Sequence, residues 1–144
     1  MKVLGVLAAA VIVGILVVLQ LSPSGGGGSQ AKHAREAAQE TAAIAALRAL
    51  AAAETQVKMR SGSYGDLAAL ARAGAIDPVL ASGKKAGYLF RVTEAGEDRW
   101  RAIAVPEFPG HSGERSFYAD ETGVLRFTAD GAEPGPESPP LCGM

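Results

Sequence analysis

The chain has 144 residues, enough for one domain of ordinary size and an appendage but too few for two independent cores. A formal net charge of -1, with no long run of Lys or Arg, argues against a nucleic-acid binder. Cys142 is the single cysteine, so no intrachain disulfide forms, and near the C-terminus it is no lipidation site of a mature lipoprotein.

The hydrophobic fraction of 48% is uneven. Val3 to Leu21 reads VLGVLAAAVIVGILVVLQL, apolar except for Gln20. As a helix this run spans roughly 28 Å, close to the hydrocarbon thickness of a bilayer. It is apolar all round rather than along one stripe, which suits lipid better than a protein core. Lys2 is the sole charge before Lys32 and favours a cytoplasmic N-terminus, placing the rest outside. Residues 1–21 are therefore expected to be a single-pass inner-membrane anchor. The competing reading is a cleaved secretory signal, with small residues at Ser22-Pro23-Ser24 and Ser29-Gln30-Ala31. Either way the domain lies in the periplasm or beyond.

Residues 22–29, SPSGGGGS, read as a flexible linker. From Gln30 to about Arg60 the composition predicts a long alanine-rich helix. At about 100° per residue, Ala43, Ile44, Leu47, Leu50, Ala51 and Val57 share one arc, an apolar stripe seeking a sheet. Arg35 and Arg48 lie off it, and Lys32 and Lys58 share its angle only near the helix ends. Glu54 falls inside the arc in the body of the helix. Ser61-Gly62-Ser63-Tyr64-Gly65 stops the helix, and Asp66 is set to cap the short helix LAALARA before Gly74.

Asp77-Pro78 and Ser82-Gly83-Lys84-Lys85 are turn signals, after which the pattern changes to strands. GYLFRVT from Gly87 and RWRAIAV from Arg99 form one predicted pair around a turn at 94–98. RSFYA from Arg115 and VLRFT from Val124 form a second, joined by a hairpin turn running from Asp120 to Gly123. The tail, residues 129–144, is rich in Pro, Gly and Glu and reads as disordered. The predicted fold is α+β: a transmembrane helix, a Gly-rich tether, and in residues 30–128 a long amphipathic helix packed on a four-stranded antiparallel sheet.

Three stretches, AAIAALRALAAAETQVKMRSGSYGDLAAL, IDPVLASGKKAGYLFRV and RAIAVPEFPGHSGERSFYADETGVLRFT, resemble the globular region of type IV pilin-like and type II secretion pseudopilin-like proteins. The last, with RSFY followed by DETGVLR, is the most specific. The resemblance implies a membrane helix continuing into a head whose sheet packs on it. The N-terminus departs from that family's leader: Val6 follows Gly5, Ala10 stands where its assembly Glu would fall, and Pro23 with Gly25 to Gly28 interrupts the helix. The resemblance thus implies a pilin-type head on a substituted anchor.

Candidate chemistry is sparse. His33 and His111 lack Cys or His partners at ligand spacing. Ser112 and Ser116 sit in no strand-to-helix elbow. Gly25 to Gly28 follow no strand and precede no Walker Lys-Ser/Thr. Glu97-Asp98 and Asp120-Glu121 read as turn acids, since a calcium site there or at Asp130 needs further oxygen ligands at alternate positions. No metal, cofactor or catalytic residue is assigned. The aromatics Tyr64, Tyr88, Phe90, Trp100, Phe108, Phe117 and Tyr118 read as sheet core.

Glu54 is the one polar residue with a structural argument. A carboxylate facing a sheet is costly unless hydrogen-bonded or paired. It is expected to accept N–H groups of the 61–65 loop, or to pair with Arg115 or Arg91, and so to lock helix to sheet. The expected function is a non-enzymatic, membrane-anchored pilin-like or pseudopilin-like envelope protein. It would contact other envelope or pilin-like subunits, as an accessory part of a secretion or pilus-type assembly. The alternative is an anchored or secreted periplasmic ligand-binding module on the same scaffold, favoured by a concave aromatic patch on the sheet face away from the helix.

Overall fold

The computed structural model describes residues 27–142. The expected anchor, Val3 to Leu21, and the first part of the linker lie outside the described residues. Among the described residues no helix is long and apolar enough to cross a membrane.

Helix α1 runs Gly27–Ser61, 35 residues. It begins inside the segment read as a linker, so Gly27, Gly28 and Ser29 are its first residues rather than tether. Alanine and straight-chain residues sustain it. Lys58 and Arg60 lie in its last turn, where they complement the helix dipole. It ends where Gly62 takes a φ of +82° and donates its N–H to the Lys58 carbonyl at 2.9 Å. Of its predicted stripe, Ala43, Ile44, Leu47, Leu50 and Val57 are buried and Ala51 is half-buried, and Ala46 and Ala53 join the buried set.

Helix α2, Leu67–Arg72, is capped as expected, Asp66 accepting the Ala69 N–H at 2.7 Å. Gly74 at φ +67°, with the Ala75 N–H on the Leu70 carbonyl at 3.0 Å, closes it in a Schellman arrangement. Asp77-Pro78, read only as a turn, opens a further short helix, α3, Pro78–Ala81. Asp77 caps it through the Leu80 N–H at 2.8 Å, and proline takes a first-turn position.

The sheet has five strands rather than four, in the order β1-β2-β3-β4-β5, every neighbouring pair antiparallel. The added strand is β1, Lys84–Lys85, which joins β2, Tyr88–Ala95, through Ala86 and Gly87. Both linking residues have positive φ, 52° and 78°, the signature of a type I′ hairpin turn. β3 is Trp100–Pro106, β4 is Ser116–Asp120 and β5 is Arg126–Thr128. A bulge between Val92 and Glu94 interrupts the β2–β3 register.

Strand alternation sorts the two faces. The inner face carries Tyr88, Phe90, Trp100, Ala102, Ala104, Phe117 and Ala119, which form one core with the α1 stripe. The outer face carries Arg91, Ile103, Tyr118 and Arg126 as register partners in one row. Ile103 and Tyr118 are nonetheless 1% and 2% exposed. The tail reaches both ends of this row, Glu133 at Arg91 and Ser138 at Arg126, and is ordered, not the free segment its composition suggested. The compact unit begins at Lys32 and takes in this segment. Phe108, expected in the core, is instead 62% exposed.

Candidate functional site

Two contacts fasten α1, one to the segment that leads into β4 and one to the loop that follows the helix. The first uses Arg115, though not with Glu54. Arg115 directs Nε and Nη2 to Glu40 Oε2, each at 2.8 Å. Glu40 Oε1 accepts the main-chain N–H groups of Glu114 at 3.1 Å and Arg115 at 3.2 Å. The guanidinium sits over two rings, 5.6 Å from the Phe117 centroid and 5.7 Å from that of Phe127. The Tyr88 hydroxyl donates to the Arg115 carbonyl at 2.9 Å, fixing the backbone on the other side. Burial works against the Glu40 charge. The Glu114 N–H, the Arg115 side chain and the Arg115 N–H outweigh it and hold the carboxyl below its ordinary range.

The second point is Glu54. It is fully buried, and its Oε2 accepts the Gly65 N–H at 2.9 Å. This is the loop arrangement, whereas the pairings with Arg115 and Arg91 do not form: Arg115 holds Glu40, and Arg91 reaches Glu133 at 3.1 Å. Glu54 Oε1 has no hydrogen-bond partner. Burial pushes its pKa up, the Gly65 N–H pulls it down, and Asp66 adds to the rise.

The turn after β4 is built as its residues suggest. Gly123 has φ +75° and donates to the Asp120 carbonyl at 3.1 Å, and the Asp120 carboxylate accepts from the Thr122 N–H and hydroxyl. Glu121 turns back to accept the Trp100 N–H at 3.3 Å. Asp130 accepts the Ala132 N–H at 3.1 Å, so Asp120 and Asp130 serve turns while Glu121 holds the start of β3. Ser112 closes its own turn, accepting from the Phe108 N–H at 3.0 Å. His33 lies 3.4 Å from Glu36, and among the described residues no three His, Cys, Asp or Glu side chains gather as a ligand set.

The sequence did not single out the surface features best suited to contact. An open cleft of about 390 Å³ separates Tyr64, Asp66 and Arg72 from Val92, Thr93 and Glu94 along β2. On the outer face the tail is held by Arg91–Glu133 and by Arg126 Nη1 donating to the Ser138 carbonyl at 2.9 Å. Phe127 donates its N–H to the Pro139 carbonyl at 3.0 Å, and Leu141 to the Leu125 carbonyl at 2.8 Å. Beneath it, burial and then the Asp120 charge push the Tyr118 phenol up to about 12. No protein-family model matches the chain, and no curated protein matches its sequence.

Proposed function

We propose that this chain is a non-enzymatic, pilin-like or pseudopilin-like envelope protein. Residues 3–21 anchor it in a bacterial inner membrane, and its head makes protein–protein contacts in the periplasm or beyond. The observation that carries this reading is α1 laid along the inner face of an antiparallel sheet, the head architecture that the resemblance implies. The Glu40–Arg115 and Glu54–Gly65 links support it, since they suit a rigid presenting head rather than a cleft that must open and close. The second reading, a ligand-binding module, needs an open outer sheet face. In the free chain residues 133–138 lie on that face, which counts against it.

The reading is tested by photo-crosslinking from Thr93 and Phe108 in native membranes, with mass determination of the mature chain. Discrete crosslinks to envelope proteins, from a chain beginning at Met1 or Lys2, are expected. A mature start at Val6 would instead point to prepilin processing. A start near Gly25 or Lys32 with no crosslinked protein would overturn the reading in favour of a released binding module.

A further inference from the structure

We infer that residues 129–142 are an exchangeable strap, and that the outer face of the sheet docks the same segment of a second copy of this chain. Arg91, Ile103, Tyr118 and Arg126 stand in register across β2 to β5. The strap touches both ends of this row, Glu133 at Arg91 and Ser138 at Arg126, so residues 133–138 pass over the two apolar positions between them. It then turns along the free edge of β5, where Arg126 and Pro140 form an antiparallel bridge.

The hold is light. The Arg91–Glu133 pair is 58% and 67% exposed, a geometry in which ion pairs contribute little. Pro134 is the one strap residue that is buried. Under the strap, the Ser116 hydroxyl is buried without a hydrogen-bond partner, so closure carries an unmet polar cost. The strap also has a hinge. Gly131 sits at φ +71°, in a turn closed by Thr128 Oγ1 on the Ala132 carbonyl at 2.6 Å and by Asp130. Straightening this turn releases the strap and leaves β5 in place.

The second copy follows from what the face accepts. It takes an acid opposite Arg91, a carbonyl at Arg126 and an extended proline-bearing segment antiparallel to β5, all of which residues 133–141 supply. A swapped pair repeats these contacts twice about one axis, so it closes without new chemistry. Tethering to a membrane raises the concentration of one head near another and offsets the advantage of the intramolecular strap. This inference rests on the contact reading and names one partner for it.

Charge exchange in the full-length chain tests it. Arg91→Glu and Glu133→Lys each put like charges at the intramolecular pair. In a mixture, each variant's strap suits the other's face. Native mass spectrometry of an equimolar mixture is expected to show the mixed dimer at least about sixfold over either homodimer, about three times the roughly twofold excess that random pairing gives. Monomers throughout, or mixed dimers at no more than the random, roughly twofold excess over either homodimer, would overturn exchange, while membrane crosslinks to other proteins would leave the contact reading intact. Hydrogen exchange on the unsubstituted chain covers the case in which a variant does not fold. The Phe127 and Leu141 amides are expected to exchange at least about tenfold faster than those of β3. Equal rates would mean that the strap opens only with the whole head, and would overturn the inference.

Discussion

Replacing Glu40 by alanine should destabilise the head by about 2–3 kcal/mol. The Glu40 side chain is 12% exposed and receives four donors, two from the Arg115 guanidinium and two from main-chain N–H groups. Hydrogen bonds to charged groups contribute about 1.5–3 kcal/mol each when buried, but the Glu114 N–H is exposed and the Arg115 side chain is 31% exposed, so water recovers much of the loss. Arg115→Ala should cost less, about 1–2 kcal/mol, because both N–H groups keep their acceptor. The pair should then show a coupling of about 1 kcal/mol in a double-mutant cycle. Urea denaturation measures all three, and the expected fall in melting midpoint for Glu40→Ala is about 10–15 °C.

The pH dependence is a second readout of the same contact. Glu40 is held below its ordinary value of 4.5 in the folded head, so its contribution is present above that value and fades as pH falls through the lower folded pKa. The gap between the unsubstituted chain and Glu40→Gln should therefore be flat near neutrality and close below about pH 4.5. A Glu40→Ala midpoint unchanged within about 0.5 kcal/mol, with no coupling to Arg115, would refute the assignment of Glu40 as a helix–sheet lock.

Substitutions at two further positions probe neighbouring features. Glu54→Ala leaves the buried Gly65 N–H without an acceptor and should cost about 1–3 kcal/mol, whereas unchanged thermal midpoints for both Glu54→Ala and Glu54→Gln would refute its role. Because burial raises the Glu54 pKa, the stability it gains on protonation is lost as pH rises. The unsubstituted chain should therefore gain on Glu54→Gln as pH falls from neutrality toward 4.5. Gly113 has a φ of +151°, and a Cβ there would run into the Tyr88 hydroxyl that holds the Arg115 carbonyl. Gly113→Ala should cost about 2–4 kcal/mol by denaturant titration, and a neutral result would mean that Tyr88 can move without loss.

The inner half of the molecule was legible because it obeys two simple periods. The stripe from Ala43 to Val57 repeats as a helix must, and Phe90, Trp100, Ala102 and Phe117 alternate as strands must. Asp66, Asp120 and Gly123 announced a cap and a turn because short acids and glycine serve those positions for local reasons. β1 was missed because two residues carry no period, and Ala86 is an unusual occupant of a positive-φ position. Glu40 was missed because it lies ahead of the stripe in a charged stretch and finds its partner 75 positions later, a separation no local pattern encodes. The tail was misread because its composition suits disorder, while its order comes from a few specific contacts with Arg91, Arg126 and the β5 edge.

Strand β4 shows why that tail matters. All five of its residues are buried, although Ser116, Tyr118 and Asp120 alternate outward from the helix-covered face. A sheet with one wet face needs no such burial. Here the outer face combines Ile103 and Tyr118, which favour cover, with a Ser116 hydroxyl that the tail does not satisfy. The two faces therefore differ in how they are closed. Glu40 and Arg115 fasten the inner one through a part-buried, directional ion pair just ahead of β4, and Glu54 holds the loop that follows α1. The outer one is closed by a segment joined through a glycine hinge, held at one end by an exposed ion pair and at the other by Arg126 and main-chain bonds along β5. If the strap lifts as inferred, the Glu40–Arg115 and Glu54–Gly65 bonds stay in place, and the change that should register on the inner side is the loss of Leu141 from the core edge.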